Sequence, residues 1–251
     1  MHVSIGRRWH SYARGVLSAS GGPEGIPVPP VMPMDRGAAP PSLLSAIVVA
    51  GGRSARLGRD KRRLRLWGPQ GPSLLEHTVA VMSAHCREVI VVLNDPEAWA
   101  DLPARLVPDI FPGGGSLGGI YSGLVAAAFP YAFTVAADMP LLNAALIDWM
   151  IRQPREYDVL VPRVGGVRAR NPLGVESLHA IYSVACREPM RHQLEEGNPQ
   201  VIGFFPQVRV RIVDPEVVAA LDPSGTAFKN VNTPEELDEA QKLLAMNERT
   251  S

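Results

Sequence analysis

Cysteine is scarce in this chain. The 251 residues hold only Cys86 and Cys186, with no C-x-x-C pair. That excludes a disulfide framework and a cysteine-built zinc site, and it points to a reducing compartment, the cytoplasm. Both thiols are expected to pack as small apolar groups. Long apolar runs are also missing: none approaches the roughly 20 residues of a membrane span, and no secretory apolar segment is present. Net charge is missing as well. Lys and Arg total 25, as do Asp and Glu, which argues against bulk attraction to nucleic acid or an anionic membrane. The histidines offer no chelating pair, because His77 and His85 are too far apart on one predicted helix for ligation at i, i+4 spacing.

What is present suits a globular enzyme. Apolar residues make up 46% and charged residues 20%, both ordinary for a folded domain. The length suits one domain with a full core. Residues 1–42 differ from the rest, with Arg7, Arg8, Arg14, Arg36 and a run of prolines between Pro23 and Pro41. Such a segment buries too little apolar surface to offset its ordering entropy and is expected to be disordered. Its Arg-rich start is like an organelle transit peptide. The plainer alternative is an upstream start codon, with Met32 or Met34 as the true beginning. Residues 43–251 are then a single domain.

Within that domain short apolar runs predict strands at 46–50, 89–93, 105–107, 133–137, 158–162, 178–182 and 208–213. Helices are expected at 73–84, 120–128, 142–152 and 233–246. Two of them open with capping boxes, Ser73 with Glu76 and Thr233 with Glu236. A glycine-rich turn is expected over 113–119. Nearly all-apolar strands alternating with helices imply an α/β fold, a mostly parallel sheet covered on both faces. In such sheets ligands bind beyond the carboxyl ends of the strands.

The first chemical signal lies there. The stretch V-A-G-G-R-S-A-R-L-G-R-D-K at residues 49–61 follows the first strand. It is neither a Walker-type nor a dinucleotide fingerprint. Gly51, Gly52 and Gly58 let backbone approach a ligand, and Arg53, Arg56, Arg59 and Lys61 add positive charge. The chemistry this suits is phosphate binding by exposed N–H groups and cations. The second signal is A-A-D-M-P at 136–140. Asp138, at a strand end, either holds Mg²⁺ together with substrate phosphates or caps the next helix. The third is D-I-F-P-G-G-G-S-L-G-G-I at 109–120. Asp109 is an acceptor-only group that suits the N1–H and N2–H₂ donors of guanine, or is a turn residue before Pro112. The fourth is Asn230-Val231-Asn232, whose two amides share one face of an extended segment or simply shape the helix entry. No nucleophile-and-base pair of a hydrolase or phosphatase occurs at any of the four.

In this order, with L-H-A-I-Y at 178–182 and N-V-N-T-P-E-E-L at 230–237, the motifs resemble the molybdenum cofactor guanylyltransferases over about residues 46–244. Two positions differ: Ser116 stands where the family carries Pro, and Leu57 where it carries Met. The resemblance implies a Rossmann-like nucleotidyltransferase fold. The implied reaction takes GTP and molybdopterin (Mo) cofactor to the guanine dinucleotide cofactor and pyrophosphate, with Mg²⁺. Gly51, Gly52, Arg56 and Lys61 fall on its triphosphate loop, Asp109 on an acidic position associated with guanine, and Asp138 on its Mg²⁺ position; Ala50, Ser54 and Gly118 are further nucleotide-binding positions. His179, Tyr182, Asn230 and Asn232 fall near the acceptor. Lys61, Arg56 and Asp138 are the residues expected to carry catalysis. Molybdoenzymes or other cofactor-biosynthesis proteins are the partners implied. The alternatives are the same chemistry with CTP or another phosphate acceptor, and an inactive nucleotide-binding adaptor.

Overall fold

A computed structural model of the chain describes residues 42–51, 60–66, 68, 70–164 and 171–249. Residues 1–41 of the expected N-terminal extension, together with Gly52, Ser54 and Arg56, lie outside the described residues, while Ser42 already belongs to the first strand. Seven strands form one sheet in the order β3-β2-β1-β4-β6-β5-β7. They are β1 (Ser42–Val49), β2 (Cys86–Val92), β3 (Arg105–Val107), β4 (Tyr131–Ala136), β5 (Val159–Pro162), β6 (His179–Ser183) and β7 (Val210–Val213). The pairs β1·β2, β1·β4, β2·β3 and β5·β7 are parallel. Only β6 runs against its neighbours, β4 and β5.

Alternation along β1 sends Leu44, Ala46 and Val48 to one face and Ile47 and Val49 to the other. Both faces are covered. Helices α1 (Leu74–His85), α3 (Ala144–Ile151) and α5 (Pro215–Leu221) pack on the first, and α2 (Gly115–Ala126) and α4 (Arg187–Glu195) on the second. The sixth helix, α6 (Pro234–Arg249), sits apart. Its Ala240 joins Leu66, Leu74, Leu141 and Val231 in a small separate core. That cluster gathers the segment after Lys61, the loop after Asp138 and the Asn-Val-Asn segment into one place.

Both expected capping boxes form. Ser73 Oγ accepts from Glu76 N while Glu76 Oε2 accepts from Ser73 N at 2.6 Å, and Thr233 and Glu236 do the same at α6. The glycine-rich segment departs from expectation. It is not a turn throughout; α2 begins at Gly115, so the helix starts about five residues early. Close packing explains it. A Cβ on Gly119 would come within 2.7 Å of Val49 Cγ1, and one on Gly123 within 2.4 Å of Ile47 Cγ2. The glycines weaken the helix intrinsically but let its axis lie against β1.

Candidate active site

Strand register fixes a common rim. Val49 pairs with both Val92 and Ala136, and Val92 with Val107, so β1, β2, β3 and β4 all end level. The next residues along each strand are therefore neighbours: Ala50 and Gly51, Asn94, Asp109 and Asp138. The chain leaves β1 for β2 on one side and later returns to β4 on the other. This strand order opens a crevice at the carboxyl edge.

At that crevice Lys61, Asp138 and Asn232 converge. Lys61 Nζ donates to Asp138 Oδ2 at 2.5 Å and to Asn232 Oδ1 at 3.2 Å. Lys61 follows Asp60, the N-cap of a short 3₁₀ turn over Lys61–Arg63. Asp138 follows β4, and its carbonyl accepts from Val231 N at 2.8 Å, which seats the Asn-Val-Asn segment against it. Glu236 Oε2 then accepts from Asn232 N at 2.5 Å. The Asp138 loop is also held from below. His77 is buried on α1, and its Nε2–H donates to Pro140 O at 2.8 Å. A carbonyl only accepts, so this nitrogen carries the proton, and burial pushes the ring pKa down to about 4.

Asp109 lies further along the rim. Its Oδ1 accepts from Phe111 N at 3.0 Å and lies 3.0 Å from Ser122 Oγ. Gly118 is its neighbour: a Cβ there would be 3.2 Å from Asp109 Oδ1 and 3.0 Å from Phe111 O. Between Asp109 and Lys61 stands Asn94, with Nδ2 4.0 Å from where a Cβ on Gly51 would lie. Ala50 and Gly51 thus occupy the rim between the two groups.

Two expected acceptor contacts require correction. His179 and Tyr182 are both 0% exposed, because β6 is an interior strand whose residues are buried without exception. His179 is enclosed edge-to-face by Phe133 and Phe228, each with ring centroids 5.1 Å away. Burial drives its pKa down to about 3. Tyr182 donates its hydroxyl to Ser177 O at 2.8 Å. Neither side chain is open to the crevice. Asn230 does not join Lys61 as Asn232 does, and its Oδ1 is buried without a hydrogen-bond partner among the described residues.

Asn94, Ser122, His77 and Arg62 carry no motif of their own. Arg62 had the plainest signal, since it directly follows Lys61 in an Asp-Lys-Arg-Arg run. Its guanidinium holds Asp60 below the usual carboxylate range against the opposing effect of burial.

Comparison with known proteins agrees with this architecture. Residues 46–208 match the MobA-like NTP transferase domain. The chain is 42% identical over 202 residues to a probable molybdenum cofactor guanylyltransferase from Chloroflexus aggregans, covering 80% of this chain and 95% of that protein. It is 32% identical over 202 residues to the molybdenum cofactor guanylyltransferase of Desulfosudis oleivorans, covering 80% and 96%. The fold is similar to that of molybdopterin-guanine dinucleotide biosynthesis protein A from Archaeoglobus fulgidus, with a TM-score of 0.67, 22% identity, and coverage of 81% and 100%. The chain therefore belongs to the molybdenum cofactor guanylyltransferase family of nucleotidyltransferases.

Proposed function

We propose that the chain transfers GMP from GTP to the terminal phosphate of molybdopterin cofactor and releases pyrophosphate. The observation that carries this reading is the convergence of Lys61, Asp138 and Asn232 at the sheet rim of a guanylyltransferase-family fold. A terminal phosphate oxygen of the acceptor attacks the α-phosphorus of GTP in line. The bond from that phosphorus to the β-phosphate oxygen breaks, and pyrophosphate departs. A phosphate monoester is already largely ionised near pH 7, so no general base is required. Catalysis rests on position and on charge stabilisation.

In this reading Lys61 and Arg56 neutralise charge on the departing pyrophosphate. Ala50, Gly51, Gly52 and Ser54 offer backbone to the triphosphate. Asp109, beside Gly118, takes the guanine donors, and its Oδ2 accepts no hydrogen bond from the described residues. Asn94 stands between base and phosphates. Asn230 and Asn232 face the acceptor.

Magnesium fits the donor set. Asp138 Oδ2 and Asn232 Oδ1 already share one cationic atom, Lys61 Nζ, and both are the hard oxygen donors Mg²⁺ prefers, with phosphates completing its shell. Bound there, the ion would screen the phosphate charge, with Asp138 as its protein ligand. Among the described residues no group of three or more His, Cys, Asp or Glu could hold a metal without substrate. We place the reaction in the cytoplasm, in keeping with two cysteines that are both free and buried. Among the described residues no helix is long and apolar enough to cross a membrane.

The test is purified protein with Mg²⁺ and molybdopterin cofactor, given GTP or CTP, with pyrophosphate and dinucleotide both followed. GTP-selective product supports the reading. CTP-selective product overturns Asp109 as a guanine reader, and no product from either nucleotide overturns the reaction.

A further inference from the structure

Arg62 adjoins Lys61 at the rim, yet its guanidinium is fully engaged by the protein. Nε and Nη2 donate to Asp60 Oδ1 and Oδ2, both at 2.8 Å. Nη1 and Nη2 donate to Asp95 Oδ1 and Oδ2 at 2.6 and 2.7 Å. The remaining Nη1 proton points to Ala50 O at 3.4 Å. A guanidinium has five N–H donors, and these contacts use all of them. Its Cζ also lies 5.6 Å from the centroid of the buried Trp99 ring. Arg63 stacks on the same ring at 4.5 Å and donates to Ala98 O at 2.9 Å.

The partners give the arrangement its meaning. Ala50 stands just before the glycine-rich stretch, and Asp60 stands at its end, next to Lys61. Asp95 follows Asn94 and opens the 3₁₀ turn over Pro96–Trp99. One side chain therefore ties three pieces of the rim together: the entry to the stretch, its exit, and the loop beyond β2. With two carboxylates on it and no donor to spare, Arg62 is not built to meet a phosphate.

We infer that Arg62 is a positioning residue for nucleotide binding, a clamp that fixes the distance between Lys61 and Asn94. The inference rests on the reading that GTP binds at this rim. Lysine replaces the arginine only in part, because an ammonium keeps the charge but lacks the planar fork that engages two carboxylates at once.

The experiment compares wild type, Arg62→Lys, Arg62→Met and Asp95→Asn. Calorimetry gives GTP affinity with Mg²⁺, steady-state kinetics give kcat and both KM values, and melting curves check folding. The expected result is a GTP KM and Kd raised about tenfold in Arg62→Met and about threefold in Asp95→Asn. The acceptor KM should stay within twofold and kcat within threefold. Arg62→Lys should fall between wild type and Arg62→Met. If Arg62→Met leaves Asp60 and Asp95 repelling each other and fails to fold, Asp95→Asn carries the test, since it loosens the clamp without stranding a charge. A GTP affinity in the folded variants within twofold of wild type overturns the inference, as does a fall in kcat with GTP KM unchanged. Wild type that binds no GTP would instead overturn the functional reading beneath it.

Discussion

Lys61 Nζ and Asp138 Oδ2 stand 2.5 Å apart although 77 residues separate them. The pair is partly shielded, with side chains 24% and 14% exposed, and its carboxylate follows the end of β4. A surface pair would contribute little to stability. An ion pair at the proposed reacting centre is better read as two charges kept in position for substrate, the ammonium for phosphate oxygens and the carboxylate for a cation.

Lys61→Ala and Asp138→Ala should each lower kcat by about 10²–10³ or more, the loss seen when one transition-state stabiliser is removed. A coupled pyrophosphate assay measures it, and melting temperature shows whether the fold survives. Near-normal turnover in either variant would remove that residue from the mechanism.

The buried His179 separates two kinds of residue near the acceptor. Its two nitrogens have no partner among the described residues, so an apolar side chain of similar size removes a buried polar group and leaves no partner stranded. His179→Leu should therefore fold with equal or higher stability and keep the acceptor KM within threefold of wild type. Asn232→Ala should raise that KM tenfold or more. Equal effects of the two substitutions would return His179 to the acceptor site.

Stability should also depend on pH through His77 and His179. Folding depresses both pKa values from 6.5, to about 4 and about 3, because burial disfavours the charged ring. Between those values and 6.5 the unfolded chain binds more protons than the folded one, so stability rises with pH in that window. The contribution is complete above pH 6.5 and is lost as pH falls through it, with at most about 2 kcal/mol from each histidine gone by pH 5. Urea unfolding at pH 7.5 and pH 5 should show the loss, and His179→Leu should show roughly half of it. An identical pH dependence in that variant would contradict the assignment.

Legibility in the sequence follows the range of the forces involved. Apolar runs mark β1, β2 and β4 because a strand buried on both faces needs little beyond local composition. Capping boxes mark α1 and α6 because Ser73 and Thr233 act within one turn. The stretch that ends at Lys61 follows β1 and Asp138 follows β4, so glycines and a short motif are enough to place both toward the carboxyl edge of the sheet. Long-range packing is not encoded in this way. Nothing local says that β6 runs antiparallel between β4 and β5, so His179 reads as a motif residue when it is core. Nothing local links Arg62 to Asp95, whose meeting depends on β1 and β2 lying side by side. The start of α2 was obscured for a related reason: glycine reads as turn unless the surface it must approach is known.

That surface supplies a last prediction. Ala in place of Gly123 gains up to about 1 kcal/mol of helix propensity. Its Cβ, however, meets Ile47 Cγ2 at 2.4 Å, Cγ1 at 2.8 Å and Cδ1 at 2.9 Å. Ile47 is fully buried on β1, an interior strand, and has nowhere to retreat. Overpacking of this kind costs about 1–3 kcal/mol, so the clash outweighs the propensity, and the melting temperature of Gly123→Ala should fall by several degrees. In a double-mutant cycle Ile47→Ala should cost less in the Gly123→Ala background than in wild type, because the atoms that clash are then gone. Gly119→Ala pushes instead on Val49, at 2.7 Å, immediately before Ala50 at the rim. It should raise GTP KM as well as lower stability, whereas Gly123→Ala, one turn deeper, should leave KM within twofold. If both substitutions changed stability alone, the α2–β1 contact would have no part in shaping the nucleotide side of the site.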